Sequence, residues 1–362
     1  MNIVTIVGAR PQFVKAAVVS RALDATSNVN EILIHTGQHY DSKLSGSFFE
    51  DLDIPEPDHN LQVGSATHGV QTGKILERLE PLLVEHRPDL VVIYGDTNST
   101  LAGALAAAKL HIPLAHVEAG LRSFNRRMPE EINRVVADHI SDILFAPTPV
   151  AVENLEREGL APESIHLVGD VMKDAVAHYS QRAGGENGIV THVAREDGPY
   201  VLATIHRAEN TDDPDRLEAI FEGLAQVASE IPVVLPLHPR TKKYLQQLGW
   251  SNPVEDRLRL REPAGYLEML QLAQHATAIV TDSGGVQKEA YFHKLPCVTL
   301  RDETEWTELL DWGCNRRISP DSAEVVAHGI QEALRVGFPS QIPEDLYGDG
   351  KAGERIARIL VS

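Results

Sequence analysis

Residues 2–23 read NIVTIVGARPQFVKAAVVSRAL, and this stretch decides the fold. The run 2–9 is mostly apolar and β-branched, the pattern of a strand buried on both faces. Gly8 permits a tight turn, and Pro11 suits the first turn of a helix. From 11 to 23 the apolar residues recur at helical spacing. A buried strand running straight into a helix is the opening of a β-α-β unit. Repeated units of this kind build a parallel sheet with helices on both faces.

The alternation continues outward. EILIHTGQ (31–38), DLVVIYGD (89–96), PLAHVEAG (113–120), DILFAPT (142–148) and IHLVGD (165–170) read as strands. Helical patterns at 71–83, 100–110, 129–141 and 150–158 separate them. After a helix-and-loop stretch at 171–199, with the glycine-rich GGENG at 184–188, the pattern restarts. YVLATIHR (200–207), PVVLPLHPR (232–240), LRLREP (258–263), TAIVTDS (277–283) and PCVTLRD (296–302) form a second strand series. Amphipathic helices at 213–230, 265–276, 284–294 and 322–337 accompany it. The expected fold is α/β: two doubly wound Rossmann-like domains, 1–170 and 171–340, with a central cleft. A last helix, within 341–362, crosses back to the first domain.

Bulk composition narrows the function classes. A chain of 362 residues suits two domains. No apolar run reaches the ~20 residues of a membrane span, and the start of the chain lacks the basic region and cleavage site of a signal peptide. Cys297 and Cys314 are the only cysteines and are not in C-x-x-C spacing, which fits a reducing cytoplasm. Lys and Arg number 33 against 52 Asp and Glu, for a net charge of −19. So acidic a chain is a poor partner for nucleic acid or an anionic membrane surface. An anionic substrate would need a local basic cluster.

In open α/β sheets, ligands lie beyond the carboxyl ends of the strands, so the residues there carry the chemistry. Arg10 and Lys15 follow the first strand, near a helix N-terminus suited to anions; the bland alternative for Arg10 is a surface salt bridge. No G-x-G-x-x-G follows that strand, so the dinucleotide fingerprint is missing. Asp96 follows one strand and Glu118 another. Asp96 fits either a cap for the next helix or an acid/base group. Glu130 and Glu131 open a helix, where the macrodipole favours acidic residues in any case. Several carboxylates in one cleft suit proton transfer. In the second half, His206 with Arg207 and His238 with Arg240 end strands and supply local positive charge. Ser283 is placed to cap the helix after it, while Gly284 and Gly285 let backbone amides approach a phosphate. Glu289, six residues on, lies about 9 Å along that helix. No H-E-x-x-H or cysteine cluster suggests a metal.

Taken together, GARPQFVKAA, HTGQHYD, YGDTNSTLAGALAA, HVEAGLRS, MPEEINR, HRAEN, LPLHPRT, TDSGGVQKEA and RDETEW carry a family likeness. Over nearly its full length the chain resembles the non-hydrolysing UDP-N-acetylglucosamine 2-epimerases. The resemblance implies the two-domain fold shared with GT-B glycosyltransferases, a homodimer, a UDP-sugar substrate and no cofactor or metal. It implies deprotonation at C2, loss of UDP to a 2-acetamidoglucal, and re-addition after the proton returns to the other face. By position, Asp96, Glu118, Glu130 and His206 match the family's catalytic residues. Arg10, Lys15, His238, Tyr266, Ser283, Gly284, Gly285 and Glu289 match its substrate- and UDP-binding residues.

Some positions depart from the family pattern. Trp306-Thr307-Glu308 stands where many members have Arg-Pro-Glu, and Ala208 where many have a second Arg. Tyr40-Asp41 differs from members activated by a second substrate molecule, so no obligatory activation is expected. RSFNRRMPEEINR and TEW are closer to a branch acting on UDP-2,3-diacetamido-2,3-dideoxy-glucuronate, with Arg122, Arg126 and Arg127 as candidates to meet its carboxylate. The rival readings are a glycosyltransferase on the same fold, a hydrolysing epimerase and a nucleotide-sugar sensor.

Overall fold

The computed structural model describes residues 1–38, 54, 56–183, 198–247, 258–343 and 345–362. His39, Tyr40 and Asp41, and the glycine-rich 184–188, lie outside the described residues. The chain forms two compact units, Met1–Ala177 with Pro343–Ser362, and His178–Ile342.

The first unit is built on β1 (Asn2–Val7), β2 (Asn30–His35), β3 (His59–Asn60), β4 (Leu90–Tyr94), β5 (Leu114–Val117), β6 (Ile143–Ala146) and β7 (Ile165–Leu167). These pair in the order β3-β2-β1-β4-β5-β6-β7, parallel throughout. Its helices are α1 (Arg10–Asp24), α2 (His68–His86), α3 (Asn98–Lys109), α4 (Pro129–Ile140), α5 (Pro149–Arg157) and α6 (Val171–Ala183), which runs into the second unit. The sequence order reverses between β1 and β4, which makes that pair the switch point where ligands gather. Both strands are almost fully buried, as a sheet covered on two faces requires. Alanine-rich α3 lies close on the sheet. A Cβ on Gly103 would stand 3.0 Å from both Ile6 and Ile93, so a bulkier residue would lift the helix. Each large apolar side chain buried here contributes about 1.5–3 kcal/mol.

The second unit repeats the plan with β8 (Val201–Thr204), β9 (Val233–Pro236), β10 (Arg259–Arg261), β11 (Ala278–Thr281), β12 (Cys297–Thr299) and β13 (Asn315–Arg317). The order is β10-β9-β8-β11-β12-β13, again parallel, with the switch point between β8 and β11. Its helices are α7 (Ala208–Thr211), α8 (Pro214–Val227), α9 (Pro239–Gln247), α10 (Tyr266–His275), α11 (Gly284–Phe292), α12 (Thr307–Asp311) and α13 (Ala323–Val336). Val201, Phe221, Leu235, Val280, Val326 and Ile330 lie in the core. Gly223 lets α8 approach α13, since a Cβ there would be 2.7 Å from Val326.

The last helix, α14 (Ala352–Leu360), belongs to the first unit and packs on α1. Gly353 meets Val18 at the contact, and the Asp174 carboxylate accepts the Gly353 N–H at 2.9 Å, satisfying an amide at that helix's N-terminus. The architecture is the two-domain, doubly wound α/β class of GT-B proteins. Two edge strands, β3 and β13, and the short helices α7 and α12 were not expected from the sequence.

Candidate active site

The first switch point is laced by a residue the sequence pattern does not single out. Gln12 Oε1 accepts the Gly8 and Ala9 N–H groups at 2.8 and 3.0 Å, and its Nε2 donates to the Tyr94 carbonyl at 2.6 Å. The ends of β1 and β4 are thereby tied together. Gly8 is required sterically: a Cβ would fall 2.0 Å from Ser99 Oγ and 2.3 Å from Thr36 Oγ1. Two contacts lie at the anion seat expected near the start of α1. Gln12 already takes two of the amides, and Lys15 turns inward to ion-pair with Glu118. Arg10, at the first position of α1, is half-buried, and that burial lowers its pKa.

Beyond β4, Gly95 turns the chain at φ 60°, and Asp96 comes next. Asp96 does not cap α3. Thr97 does, its Oγ1 accepting from the Thr100 N–H at 3.3 Å while Thr100 Oγ1 accepts from Thr97 N–H at 3.1 Å. Asp96 instead ion-pairs with Arg134 of α4, and its side chain stays 30% exposed. Beyond β5, Glu118 is a non-glycine residue at φ 72° and nearly buried. Strain of this kind clusters at functional sites. The Glu118 and Ala119 N–H groups both donate to the Phe145 carbonyl at 3.1 Å. Glu118 Oε2 lies 3.2 Å from where a Cβ on Gly95 would stand, so the ends of β4 and β5 bring the two carboxylate-bearing segments together.

The two glutamates that open α4 have different tasks. Glu131 is buried and accepts from Ser123 N–H (2.9 Å), Ser123 Oγ–H (3.0 Å), Phe124 N–H (2.9 Å) and Arg134 (3.2 Å). It holds the loop before the helix, where Phe124 sits at φ 59°. Glu130 is half-buried with no ion pair among the described residues. Its place one turn before Asn133 and Arg134, which hold the Asp96 carbonyl and carboxylate, puts it on the same helix face. Arg122 is not available to a ligand carboxylate: it is buried and bonded to Asp138 and Glu158 at 2.7 Å. Arg126 and Arg127 are exposed.

In the second unit, Asp282 is the organising residue, and the sequence pattern did not mark it. It is fully buried at the end of β11. Its carboxylate accepts the His206 N–H (3.0 Å), the Arg207 N–H (2.9 Å) and Asn210 Nδ2–H (3.1 Å). It thereby fixes the turn after β8. The His206 ring is 39% exposed, with Nδ1 3.5 Å from Asp282. Burial lowers the His206 pKa, against the opposing pull of Asp282. The exposed His238 lies beside it, ring centroids 5.5 Å apart. Arg240 pairs with Asp212 at 2.6 Å. Tyr266 opens α10, edge-on to Tyr179 at 5.9 Å.

Ser283 occupies the N-cap position of α11, but its side chain makes no cap hydrogen bond, a correction to the expected role. Gly284 is buried against Glu305, whose Oε1 would be 2.6 Å from an added Cβ; Gly285 faces open space. Glu289 is 6% exposed, and burial pushes its carboxyl up to about 7, with Lys288 pulling the other way. Lys288 itself stacks on Trp306 at 4.1 Å. Arg301 is fully buried between Glu209 (3.2 Å) and Glu305 (3.1 Å). Among the described residues, no group of three or more His, Cys, Asp or Glu side chains is arranged to hold a metal ion. No helix among them is long and apolar enough to cross a membrane.

Comparison with known proteins gives a consistent result. The profile of the family described as UDP-N-acetylglucosamine 2-epimerase matches residues 21–361. The chain is 50% identical over 365 residues to the UDP-2,3-diacetamido-2,3-dideoxy-D-glucuronate 2-epimerase of Pseudomonas aeruginosa, covering 99% of each chain. It is 44% identical over 367 residues to the UDP-N-acetylglucosamine 2-epimerase of Methanocaldococcus jannaschii, again covering 99% of each. A crystal structure of the Methanocaldococcus jannaschii enzyme in complex with UDP-GlcNAc and UDP superposes with a TM-score of 0.91 at 44% identity, covering 100% of this chain and 99% of that one.

Proposed function

The chain belongs to the UDP-N-acetylglucosamine 2-epimerase family of isomerases, and on that premise we propose that it interconverts UDP-GlcNAc and UDP-ManNAc by elimination and re-addition of UDP. A carboxylate takes the C2 proton. The C2–H electrons form the C1–C2 double bond, and the C1–O bond breaks to release UDP from a 2-acetamidoglucal. Protonation of C2 on the other face and return of UDP to C1 complete the inversion.

The observation that carries this reading is the pair of carboxylates beyond β4 and β5. Asp96 is relieved of capping by Thr97, and Glu118 is held in a left-handed conformation. Glu130 completes the acid/base set. Three such groups suit a reaction that removes a proton from one face and delivers one to the other. In the second unit, His206 and His238 face the departing diphosphate. The glycine pair at the start of α11 receives phosphate oxygens. Glu289 grips the ribose hydroxyls, which donate to its two carboxylate oxygens. The enzyme works as a cytoplasmic homodimer; Cys297 and Cys314 are free, buried thiols, the state that a reducing compartment keeps.

Positional isotope exchange tests the bond that breaks. With ¹⁸O in the sugar–phosphate bridge, scrambling into the other β-phosphate oxygens is expected. Retention of label during epimerisation overturns the elimination route. Free sugar in the product points to the hydrolysing rival, and turnover only with an acceptor points to a transferase.

A second substrate reading is favoured by the 50% identity to the Pseudomonas aeruginosa enzyme. UDP-2,3-diacetamido-2,3-dideoxy-glucuronate carries a carboxylate, and exposed Arg126 and Arg127 stand on the loop before Glu130 to meet it. The ratio of kcat/KM values for the two sugars decides between them.

A further inference from the structure

His116 lies in β5 with its side chain fully buried. Its Nε2 is 2.7 Å from the Gly95 carbonyl oxygen and its Nδ1 is 2.7 Å from Asp138 Oδ1. A carbonyl and a carboxylate both accept hydrogen bonds, so the ring has to donate from both nitrogens. Asp138, also fully buried, uses its second oxygen to accept the Gly120 N–H at 3.1 Å and Arg122 Nη1–H at 2.7 Å. Glu158 grips the far side of Arg122 through two bonds of 2.7 Å. Burial opposes the Asp138 charge, but His116 and Arg122 outweigh it and hold the carboxyl below its ordinary range.

This chain of contacts runs from the Gly95 carbonyl to the Gly120 amide, and those two groups bracket the acid/base segments. Gly95, at φ 60°, immediately precedes Asp96. Gly120, at φ 84°, lies two residues beyond Glu118, at φ 72°. A left-handed glutamate persists only where its surroundings over-determine the backbone. The β-ladder fixes the strands up to Tyr94 and Val117. The His116–Asp138 contact fixes the turns at their carboxyl ends.

We propose that His116, acting through Asp138, is a positioning residue for epimerisation that sets the spacing of Asp96 and Glu118; this rests on the epimerase reading above. His116 touches no substrate. It transmits a fixed geometry to two carboxylates that each have to meet C2 at the right distance. Loss of that geometry lowers turnover far more than UDP affinity.

The test compares His116→Ala, His116→Asn and His116→Gln with the unaltered enzyme. Each is measured for kcat, KM, UDP affinity by calorimetry, melting temperature and deuterium exchange at C2. Asparagine keeps a donor near the Nδ1 position and glutamine one near Nε2, so each retains one of the two contacts. The expected result for alanine is a fall in kcat of roughly 10²-fold, the scale of a misplacement of about 1 Å. KM and UDP affinity change much less, and asparagine and glutamine each recover part of kcat. The proposal is overturned if kcat survives in the alanine variant, if UDP affinity falls in parallel, or if neither conservative variant does better than alanine. Nitrogen-15 NMR of the unaltered protein covers the case in which the variants do not fold. Hydrogen on both His116 ring nitrogens supports the contact, and hydrogen on only one overturns it. Failure of the unaltered enzyme to exchange C2 hydrogen is a separate outcome that removes the epimerase reading itself.

Discussion

Replacing Glu289 with glutamine should change how the stability of the second unit depends on pH. The carboxyl is buried in α11 and raised from 4.5 to about 7, chiefly by loss of water, with Lys288 only partly offsetting this. A raised carboxyl binds its proton more tightly in the folded state than in the unfolded one. Stability therefore falls as pH rises from 4.5 to about 7 and levels off above that. At about 1.4 kcal/mol per pH unit, the full loss is about 3 kcal/mol. For a unit of this size that corresponds to roughly 6–12 °C in melting temperature. Glutamine fills nearly the same volume and cannot ionise. Scanning calorimetry at pH 5 and pH 8 on both proteins isolates the effect, because all other titrating groups are shared. The unaltered protein should lose about 2.5 kcal/mol more than Glu289→Gln between the two pH values, since part of the full loss falls below pH 5. Parallel profiles, or a larger loss in the variant, would refute the reasoning.

Other substitutions separate binding from folding. Gly284→Ala pushes against Glu305 and should destabilise the second unit by about 1–3 kcal/mol, while Gly285→Ala faces open space and should leave the melting temperature unchanged but weaken UDP binding measured by calorimetry. Glu131→Gln should lower the melting temperature, because Ser123 and Phe124 lose a charged acceptor, whereas Glu130→Gln should leave melting unchanged and depress kcat by roughly 10²–10⁴-fold, the usual scale for a general acid or base. Asp282→Ala leaves buried donors at His206, Arg207 and Asn210 unsatisfied, each worth about 1–3 kcal/mol, so both stability and UDP affinity should fall; a normal urea midpoint would contradict the place given to Asp282.

Much of this structure was legible because it depends on local pattern. The apolar runs at β1, β4, β5, β8 and β11 announce themselves, and their carboxyl ends point to Asp96, Glu118, His206 and Ser283. Edge strands β3 and β13 escaped notice because His59–Asn60 and Asn315–Arg317 are two and three residues long and mostly polar. Side-chain partners escaped for a different reason. Lys15 and Glu118 are 103 residues apart, and His206 and Asp282 are 76. Spacing along a chain cannot say that a lysine expected beside a helix N-terminus turns toward a carboxylate. Nor can it say that Arg122, apparently placed for a ligand, is consumed by Asp138 and Glu158. Residue type alone left Asp96 open between capping and chemistry. The Thr97–Thr100 pair takes the cap, and only the folded geometry reveals it.

The central claim is proton exchange at C2 with inversion, and deuterium tracks it directly. The protein is incubated with UDP-GlcNAc, and separately with the diacetamido uronate, in deuterated water, and C2 is monitored by NMR. The expected result is deuterium at C2 of the manno epimer as it forms, and at C2 of the recovered starting sugar as equilibrium is approached. Both sugars binding with no deuterium entering C2 of either would contradict the claim.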